Sequence, residues 1–178
     1  MNRNSLLSLL DAYNTTDVEE AEMLTEMKNF VATNKDCFER TFAPGHVTAS
    51  GWIVSETGDQ VLLMHHRKLN RWFQPGGHCD GDPDVLAVAR KEVEEETGLL
   101  NFRLANEGIF DVDIHLIPAN SKDAAHYHYD VRFLFKADAQ TELVINSESR
   151  DLRWISLSKV QDYNNSESIM RMARKAIF

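Results

Sequence analysis

Residues 76–99 read GGHCDGDPDVLAVARKEVEEETGL, and this stretch decides what the surrounding chain is expected to form. Asp82 can accept hydrogen bonds from the free N–H groups of a first helical turn, and Pro83 suits the first helical position. Apolar residues then recur at helical spacing, at Leu86, Ala89 and Val93. Gly98 supplies a stop, because glycine adopts the left-handed conformation without strain. The stretch therefore predicts a helix over residues 83–97 with Asp82 as its N-cap.

The C-terminal half of this predicted helix is crowded with carboxylates. At about 100° per residue, Glu92, Glu95 and Glu96 fall within one arc of roughly 100°, whereas Glu94 points to solvent. Like charges this close either hold protons through raised pKa values or bind a divalent cation. Oxygen-only ligands favour a hard ion, so the pattern indicates Mg²⁺ or Mn²⁺.

The same stretch resembles the Nudix box, the signature of the Nudix hydrolase superfamily. The box consists of Gly, five residues, Glu, seven residues, Arg-Glu, an apolar residue, any residue, Glu-Glu, any residue, Gly and an apolar residue. The matching positions are Gly77, Glu92, Val93, Glu95, Glu96, Gly98 and Leu99. Pro83 stands where the first Glu is usual, and Lys91 stands where Arg is usual. Lys91 keeps a positive charge one helical turn from Glu95 but lacks the forked guanidinium group.

This resemblance implies an α/β protein, a Nudix-type α/β/α sandwich with a mixed β-sheet. It also implies a metal-dependent hydrolase that cleaves the pyrophosphate linkage of a nucleoside diphosphate joined to another group. Glu92, Glu95 and Glu96 would hold Mg²⁺ or Mn²⁺, and Lys91 would orient Glu95. Glu148 lies in a polar loop where similar proteins carry a further metal ligand or the general base. The expected catalytic residues are therefore Glu95, Glu92, Lys91 and Glu148.

Several residues outside the acidic cluster are candidate contacts to the ion or the substrate. The two glycines ahead of the helix leave room for the backbone to approach, so Gly76 is a candidate backbone contact to the metal. The basic linker at residues 67–71 can meet phosphate groups, although a solvated loop is the simpler interpretation. The candidate substrate contacts are Arg67, Arg71, Gly77 and Arg132.

Strand patterns on both sides of the helix complete the expected fold. Residues 45–55 alternate as a strand does, and a turn at residues 57–59 leads into a second strand at residues 61–67. Residues 125–137 form the clearest strand, with His126, His128, Asp130 and Arg132 together on one face. That polar face either meets water or lines a cleft.

The length of the chain indicates how many domains it forms, and its net charge indicates which classes of partner it binds. A chain of 178 residues is expected to hold one catalytic domain with an appendage. We expect a helical extension at residues 1–44, with helices at residues 4–13 and 17–33, and the Nudix domain at residues 45–178. The second of these helices is expected to start at Asp17. The extension packs on the core or forms a homodimer contact, and both options stay open. The net charge of −9 argues against nucleic acid and favours a small-molecule diphosphate substrate met by metal and local cations.

The cysteine content and the hydropathy pattern indicate the cellular compartment in which the protein is expected. Cys37 and Cys79 are the only cysteines and lie far apart in the sequence, which is typical of a reducing environment. The N-terminal leucines form a short run that Asp11 interrupts, so we do not interpret them as a signal peptide. No segment approaches the length that spans a bilayer. A cytoplasmic protein without membrane contact is the expectation.

Four histidines leave an alternative open. His46 opens the first strand, His78 follows the glycine turn, and His126 and His128 share a strand face, so a second metal site is conceivable. In a weaker resemblance, isopentenyl-diphosphate isomerases of this superfamily place metal-binding His or Glu residues at comparable points. Those enzymes use a cysteine near the position that Gly76 occupies here, which argues against isomerase chemistry. A third interpretation is a non-catalytic, nucleotide-sensing Nudix domain, against which the intact Glu triplet argues.

Overall fold

The computed structural model describes residues 2–120 and 124–177. Its helices and strands follow one another along the chain as α1 (Arg3–Ala12), α2 (Val18–Thr33), β1 (Gly45–Ser55), β2 (Gln60–His66), β3 (Arg71–Phe73), β4 (Gly76–His78), α3 (Val85–Thr97), β5 (Phe102–Leu104), β6 (Asp111–Ile117), β7 (His126–Ala137), β8 (Ser149–Ser156), a 3-10 helix (Leu157–Asp162) and α4 (Glu167–Lys175). Within the described ranges, no helix combines the length and the apolar character needed to cross a bilayer.

The chain forms two compact units, and strands β1, β4 and β7 and helix α3 contribute residues to both. The first unit contains Met1–Ala49, Gly77–Val88 and Gly108–Phe133. The second unit contains Ser50–Gly76, Ala89–Glu107 and Leu134–Phe178.

In the first unit, β7 lies between two strands of different direction. Strand β6 runs antiparallel to β7, with Asp111 opposite Arg132 and Ile117 opposite His126. Strand β1 runs parallel to β7, since the Tyr127 N–H donates to the Pro44 carbonyl and the Thr48 hydroxyl donates to Asp130 further along both strands. The sheet is therefore mixed, as the sequence predicted.

Helix α2 is anchored to β6 in the first unit by a buried carboxylate. Glu20 is fully buried and accepts hydrogen bonds from the Tyr13 hydroxyl at 2.6 Å and from the backbone N–H of Val112 at 3.1 Å. The helix begins where the sequence predicts, because the Asp17 side chain accepts a 3.0 Å hydrogen bond from the Glu20 N–H. One residue thus connects α2, the α1–α2 linker and β6.

In the second unit, β2 is the central strand and pairs antiparallel with its partners. It pairs with β1 (Ile53 opposite Leu62), with β3 (Met64 opposite Phe73) and with β8 (Gln60 opposite Ser156). The predicted hairpin of β1 and β2 is therefore confirmed. Gly51 of β1 lies against α3, since a Cβ atom there would come within 2.6 Å of Val93 Cγ2.

The predicted α/β class, with a mixed sheet and N-terminal helices, is confirmed by these elements. One local detail of the prediction was wrong. The Asp84 carboxylate, rather than that of Asp82, caps α3 by accepting from the Ala87 N–H at 3.1 Å. Asp82 instead accepts from the Asp84 N–H at 2.8 Å and forms the turn before the helix. The helix starts at Val85 because the Asp84 carboxylate, directly ahead of it, supplies the cap.

Candidate functional site

The acidic residues of α3 differ sharply in their exposure. Glu96 is 5% exposed, Glu92 is half-buried, and the Glu95 side chain is 56% exposed. Glu94 is exposed, as predicted. The helix ends where the sequence predicts, because Gly98 has a φ of 74° and its N–H donates to the Glu94 carbonyl.

The Glu96 carboxylate is held in place by the glycine turn. The backbone N–H of Gly76 donates a 2.9 Å hydrogen bond to Glu96 Oε2. Gly76 opens strand β4, and Glu96 lies in the last turn of α3. This contact links the residue just before the box to the last glutamate of the box. It also explains why a buried carboxylate is tolerated, since a buried charge without a hydrogen bond is costly.

The surroundings of Glu96 favour its protonated form. The pKa of Glu96 is raised to about 8 by burial, which the hydrogen bond from the Gly76 N–H opposes and the charges of Glu92, Glu148 and Glu95 reinforce. Three more carboxylates are therefore close enough to act on Glu96. A divalent cation would remove this repulsion, so the oxygen-rich donor set fits a hard ion.

Glu148 belongs to a loop that is fixed by several hydrogen bonds. Its backbone N–H donates to Asn146 Oδ1 at 2.9 Å, and its carbonyl accepts from the Arg67 N–H at 2.8 Å. Asn146 also donates to the Glu95 carbonyl at 3.3 Å, which joins the loop to the end of α3. This role of Asn146 was not predicted from the sequence, although an Asn that precedes a run of polar residues is a signal for such a turn.

Arg67 and Arg71, two of the predicted substrate contacts, donate hydrogen bonds to different partners in the second unit. The Arg67 guanidinium donates to the carbonyls of Ser147 and Ser149 at 3.0 and 2.9 Å, so it braces the backbone on both sides of Glu148. Arg71 donates to Asn164 at 3.3 Å. Lys91 lies 3.6 Å from Glu95 Oε1, one helical turn away, as the sequence predicts.

Arg132 is a buried structural residue in the first unit. It is 3% exposed and forms ion pairs with Asp111 at 3.1 Å, Asp113 at 3.2 Å and Asp130 at 2.8 Å. A guanidinium group that is enclosed and already paired with three carboxylates is not positioned to bind an anionic substrate. The proposed substrate contact at Arg132 is therefore corrected to a role in the core.

The histidines of the first unit converge. The ligand atoms of His46, His78 and His128 all lie within 4.8 Å of one another, and within residues 2–120 and 124–177 this is the one set of three or more His, Cys, Asp or Glu side chains that comes together in this way. The glutamates of α3 are outside that set. His126 adjoins the group, with its Nε2 atom 3.3 Å from His128 Nε2.

The central histidines are neutral at pH 7. Burial, followed by the nearby His78 and His126, lowers the pKa of His46 to about 4. Burial and the neighbouring histidines lower the pKa of His128 to about 2. His115, which the sequence analysis did not consider, lies opposite His128 on β6 with its ring centroid 5.4 Å away. Only the strand register could have shown that relationship.

Comparisons with known proteins agree with the fold and the box. A hydrolase of the NUDIX family from Clostridium perfringens is 27% identical and has a TM-score of 0.53, with 74% of this chain and 95% of that one covered. An Ap4A hydrolase from C. elegans, in a binary complex, is 19% identical and has a TM-score of 0.59 over 72% of this chain and 93% of that one. These likenesses define the fold as that of Nudix proteins.

The sequence comparisons identify the family. The model of the NUDIX domain matches residues 44–174, so the chain belongs to the NUDIX domain family. An uncharacterised Nudix hydrolase of Bacillus subtilis, YvcI, is 30% identical over 111 residues. That alignment spans 61% of this chain and 66% of the Bacillus protein, slightly less than two thirds of its length.

Proposed function

We propose that this protein is a metal-dependent hydrolase that cleaves the pyrophosphate linkage of a nucleoside diphosphate joined to another group. The observation that carries the proposal is the buried Glu96 carboxylate, fixed by Gly76 and surrounded by the charges of Glu92, Glu95 and Glu148. The family match over residues 44–174 supports the same chemistry for the domain assigned to residues 45–178.

Glu92, Glu95 and Glu96 are the proposed ligands of Mg²⁺ or Mn²⁺. When bound, such an ion neutralises diphosphate charge and lowers the pKa of an attacking water. The protein's own contribution is positional: Gly76 orients Glu96, and Lys91 orients Glu95. Exposure rises from the buried Glu96 through the half-buried Glu92 to the exposed Glu95, so the proposed ligand set is open to solvent, from which a substrate can approach.

Glu148 is the proposed proton acceptor. Its charge acts on Glu96, which supports its assignment to the same site. Arg67 holds the two carbonyls that flank Glu148, and we therefore propose that Arg67 is a positioning residue for this base. A general base needs hydrogen-bond reach to the attacking water, which a rigid loop provides better than a mobile one.

The experiment is a substrate panel with a matched pair of variants. Dinucleoside polyphosphates including Ap4A, nucleoside diphosphate sugars and coenzyme diphosphates are incubated with Mg²⁺ or Mn²⁺, and products are separated by chromatography. We expect cleavage of at least one class and a loss of about 100-fold or more in Glu95→Gln, because the bound ion contributes several kcal/mol. Glu94→Gln makes the same chemical change on the exposed face of α3 and should retain activity.

The same panel, with an allylic diphosphate added, separates the alternatives. Binding of nucleotides without any product would favour the nucleotide-sensing domain, and proton exchange into an allylic diphosphate would favour the isomerase. The structure gives the isomerase little support, since Cys79 is 3% exposed and burial raises the pKa of its thiol. Both cysteines are unpaired, which supports our proposal of a reducing, cytoplasmic location.

A further inference from the structure

The histidine cluster of the first unit contains an imidazole whose hydrogen-bonding capacity is unused. His46 is 1% exposed, and neither of its ring nitrogens has a hydrogen-bond partner. A buried polar group without a partner costs about 1–3 kcal/mol. His46 faces His78 and His128, at ring-centroid distances of 5.0 and 4.8 Å. A group bound between these rings would give a His46 ring nitrogen the partner that it lacks.

The hydrogen bonding of His126 leaves its Nε2 atom available next to His128. Its Nδ1 atom lies 2.8 Å from the carbonyl oxygen of Ala124. A carbonyl can only accept, so Nδ1 carries the proton and Nε2 presents a lone pair. A hydrogen bond from the second ring nitrogen to a backbone carbonyl is the usual way in which proteins orient a metal-binding histidine.

The separation between His126 and His128 matches that of two ligands on one ion. Two nitrogens that each lie about 2.0–2.1 Å from a tetrahedral Zn²⁺ ion are separated by about 3.3 Å. The two Nε2 atoms are 3.3 Å apart. The ligand atoms of His46, His78 and His128 lie within 4.8 Å of one another, so small side-chain rotations would bring the remaining rings to the same distance.

We infer that His46, His78, His126 and His128 form a binding site for a single transition-metal ion of the Zn²⁺ class. The ligands come from three strands of the first unit, β1, β4 and β7. Four imidazoles and no carboxylate make a site for a borderline ion such as Zn²⁺ or Co²⁺, because Mg²⁺ prefers oxygen. This site differs in chemistry from the carboxylate set of α3 and does not depend on the proposed hydrolase activity.

Bound metal would stabilise the folded chain. An ion that binds the native state and leaves the unfolded chain unbound raises stability by mass action, and this one would join three strands through a single centre. His115 would support the site from outside, since its Nδ1 atom lies 2.9 Å from Asp113 Oδ2 and its ring adjoins His128.

The test uses full-length protein without a polyhistidine tag. Metal is removed with a chelator, and Co²⁺ is titrated while the visible absorption of the ion is recorded. We expect one Co²⁺ per chain with the intense bands of a tetrahedral site, displaced by Zn²⁺ and unaffected by Mg²⁺. The Tm should rise when Zn²⁺ is added to the metal-free protein. Absence of the bands together with an unchanged Tm would overturn the inference.

Matched variants locate the ion. His78→Gln and His128→Gln should each weaken Co²⁺ binding at least about tenfold. His65→Gln is the control, because His65 stacks on Trp72 in the second unit and is not part of the cluster. Unchanged Co²⁺ binding in both cluster variants would contradict the assignment. X-ray absorption of the zinc-loaded wild-type protein tests the ligands without a variant. We expect the scattering pattern of imidazole ligands, and a coordination shell of oxygen atoms alone would overturn the assignment of this site.

Discussion

The backbone N–H of Gly76 donates a 2.9 Å hydrogen bond to the carboxylate of Glu96, twenty residues further along the chain. This contact fixes the last turn of α3 against the start of β4. It keeps an acidic side chain in the interior, where burial raises its pKa to about 8. The free energy of unfolding of the metal-free protein should therefore decrease as pH rises toward 8.

The first prediction concerns that pH dependence. In the unfolded chain Glu96 has its ordinary pKa of 4.5, and in the folded protein the value is about 8. Between these values the folded state binds one more proton than the unfolded state, so the free energy of unfolding should fall as pH rises from about 5 to about 8. The decrease should amount to a few kcal/mol, measured by urea denaturation with EDTA present.

Glu96→Gln provides the control for this prediction. The amide oxygen can still accept from the Gly76 N–H, but the side chain no longer titrates. The variant should lose most of the decrease between pH 5 and 8. An identical pH profile in the wild type and in Glu96→Gln would show that Glu96 is ordinarily ionised in the folded protein.

The second prediction concerns the anchor of α2. Glu20→Ala removes the carboxylate that accepts from the buried Val112 N–H and from the Tyr13 hydroxyl, which also lies 2.9 Å from the Phe110 carbonyl. The free energy of unfolding should drop by about 2–4 kcal/mol, because the buried Val112 N–H loses this acceptor and α2 loses its link to β6. Glu19→Ala, at the exposed neighbouring position, should change it by about 0.5 kcal/mol or less. Equal effects of the two substitutions in urea denaturation would contradict the anchoring role of Glu20.

The third prediction compares two glycines with positive φ. Gly98 and Gly108 have φ values of 74° and 92°, so alanine is strained at both. At Gly98 a Cβ would also lie 2.7 Å from the Val144 Cβ, whereas at Gly108 it would meet nothing within 4 Å. Gly108→Ala should cost about 1 kcal/mol, and Gly98→Ala should cost at least about 1 kcal/mol more. Similar Tm values for the two variants would contradict this steric account.

The fourth prediction concerns the cysteines. Burial raises the pKa of the Cys37 thiol to about 11 and raises that of Cys79 as well. Because the thiolate is the reactive form, both should react slowly with a thiol reagent at pH 8 in the native protein. Unfolding in urea should restore rapid reaction of two thiols per chain. Fast labelling of Cys79 in the native state would contradict the protection that burial gives its thiol.

Local features of the fold could be predicted from the sequence. The Asp17 cap, the β1–β2 hairpin and the Gly98 stop each depend on a few neighbouring residues, and all three are confirmed. The N-cap of α3 was misassigned to Asp82, because two aspartates flank Pro83 and both can cap a helix. The domain boundary at residues 44 and 45 stays a prediction.

Long-range features could not be predicted in the same way. The alternation of β7 predicts that Arg132 lies on a polar face. Pairing with β6 encloses Arg132 with Asp111 and Asp113, and this pairing depends on residues some twenty positions away in the sequence. The same limit applies to the histidines. His126 and His128 share a face by strand periodicity, whereas their meeting with His46 depends on strand pairing.

The most direct test of the account is a crystal soaked in Mn²⁺ and measured at the manganese absorption edge. The central claim is that Glu92, Glu95 and Glu96 bind the divalent ion used for hydrolysis. The account predicts an anomalous peak at about 2.0–2.3 Å from carboxylate oxygens of these residues, and its loss in Glu95→Gln. A clear map with no peak at the end of α3, in a protein that hydrolyses its substrate, would contradict it.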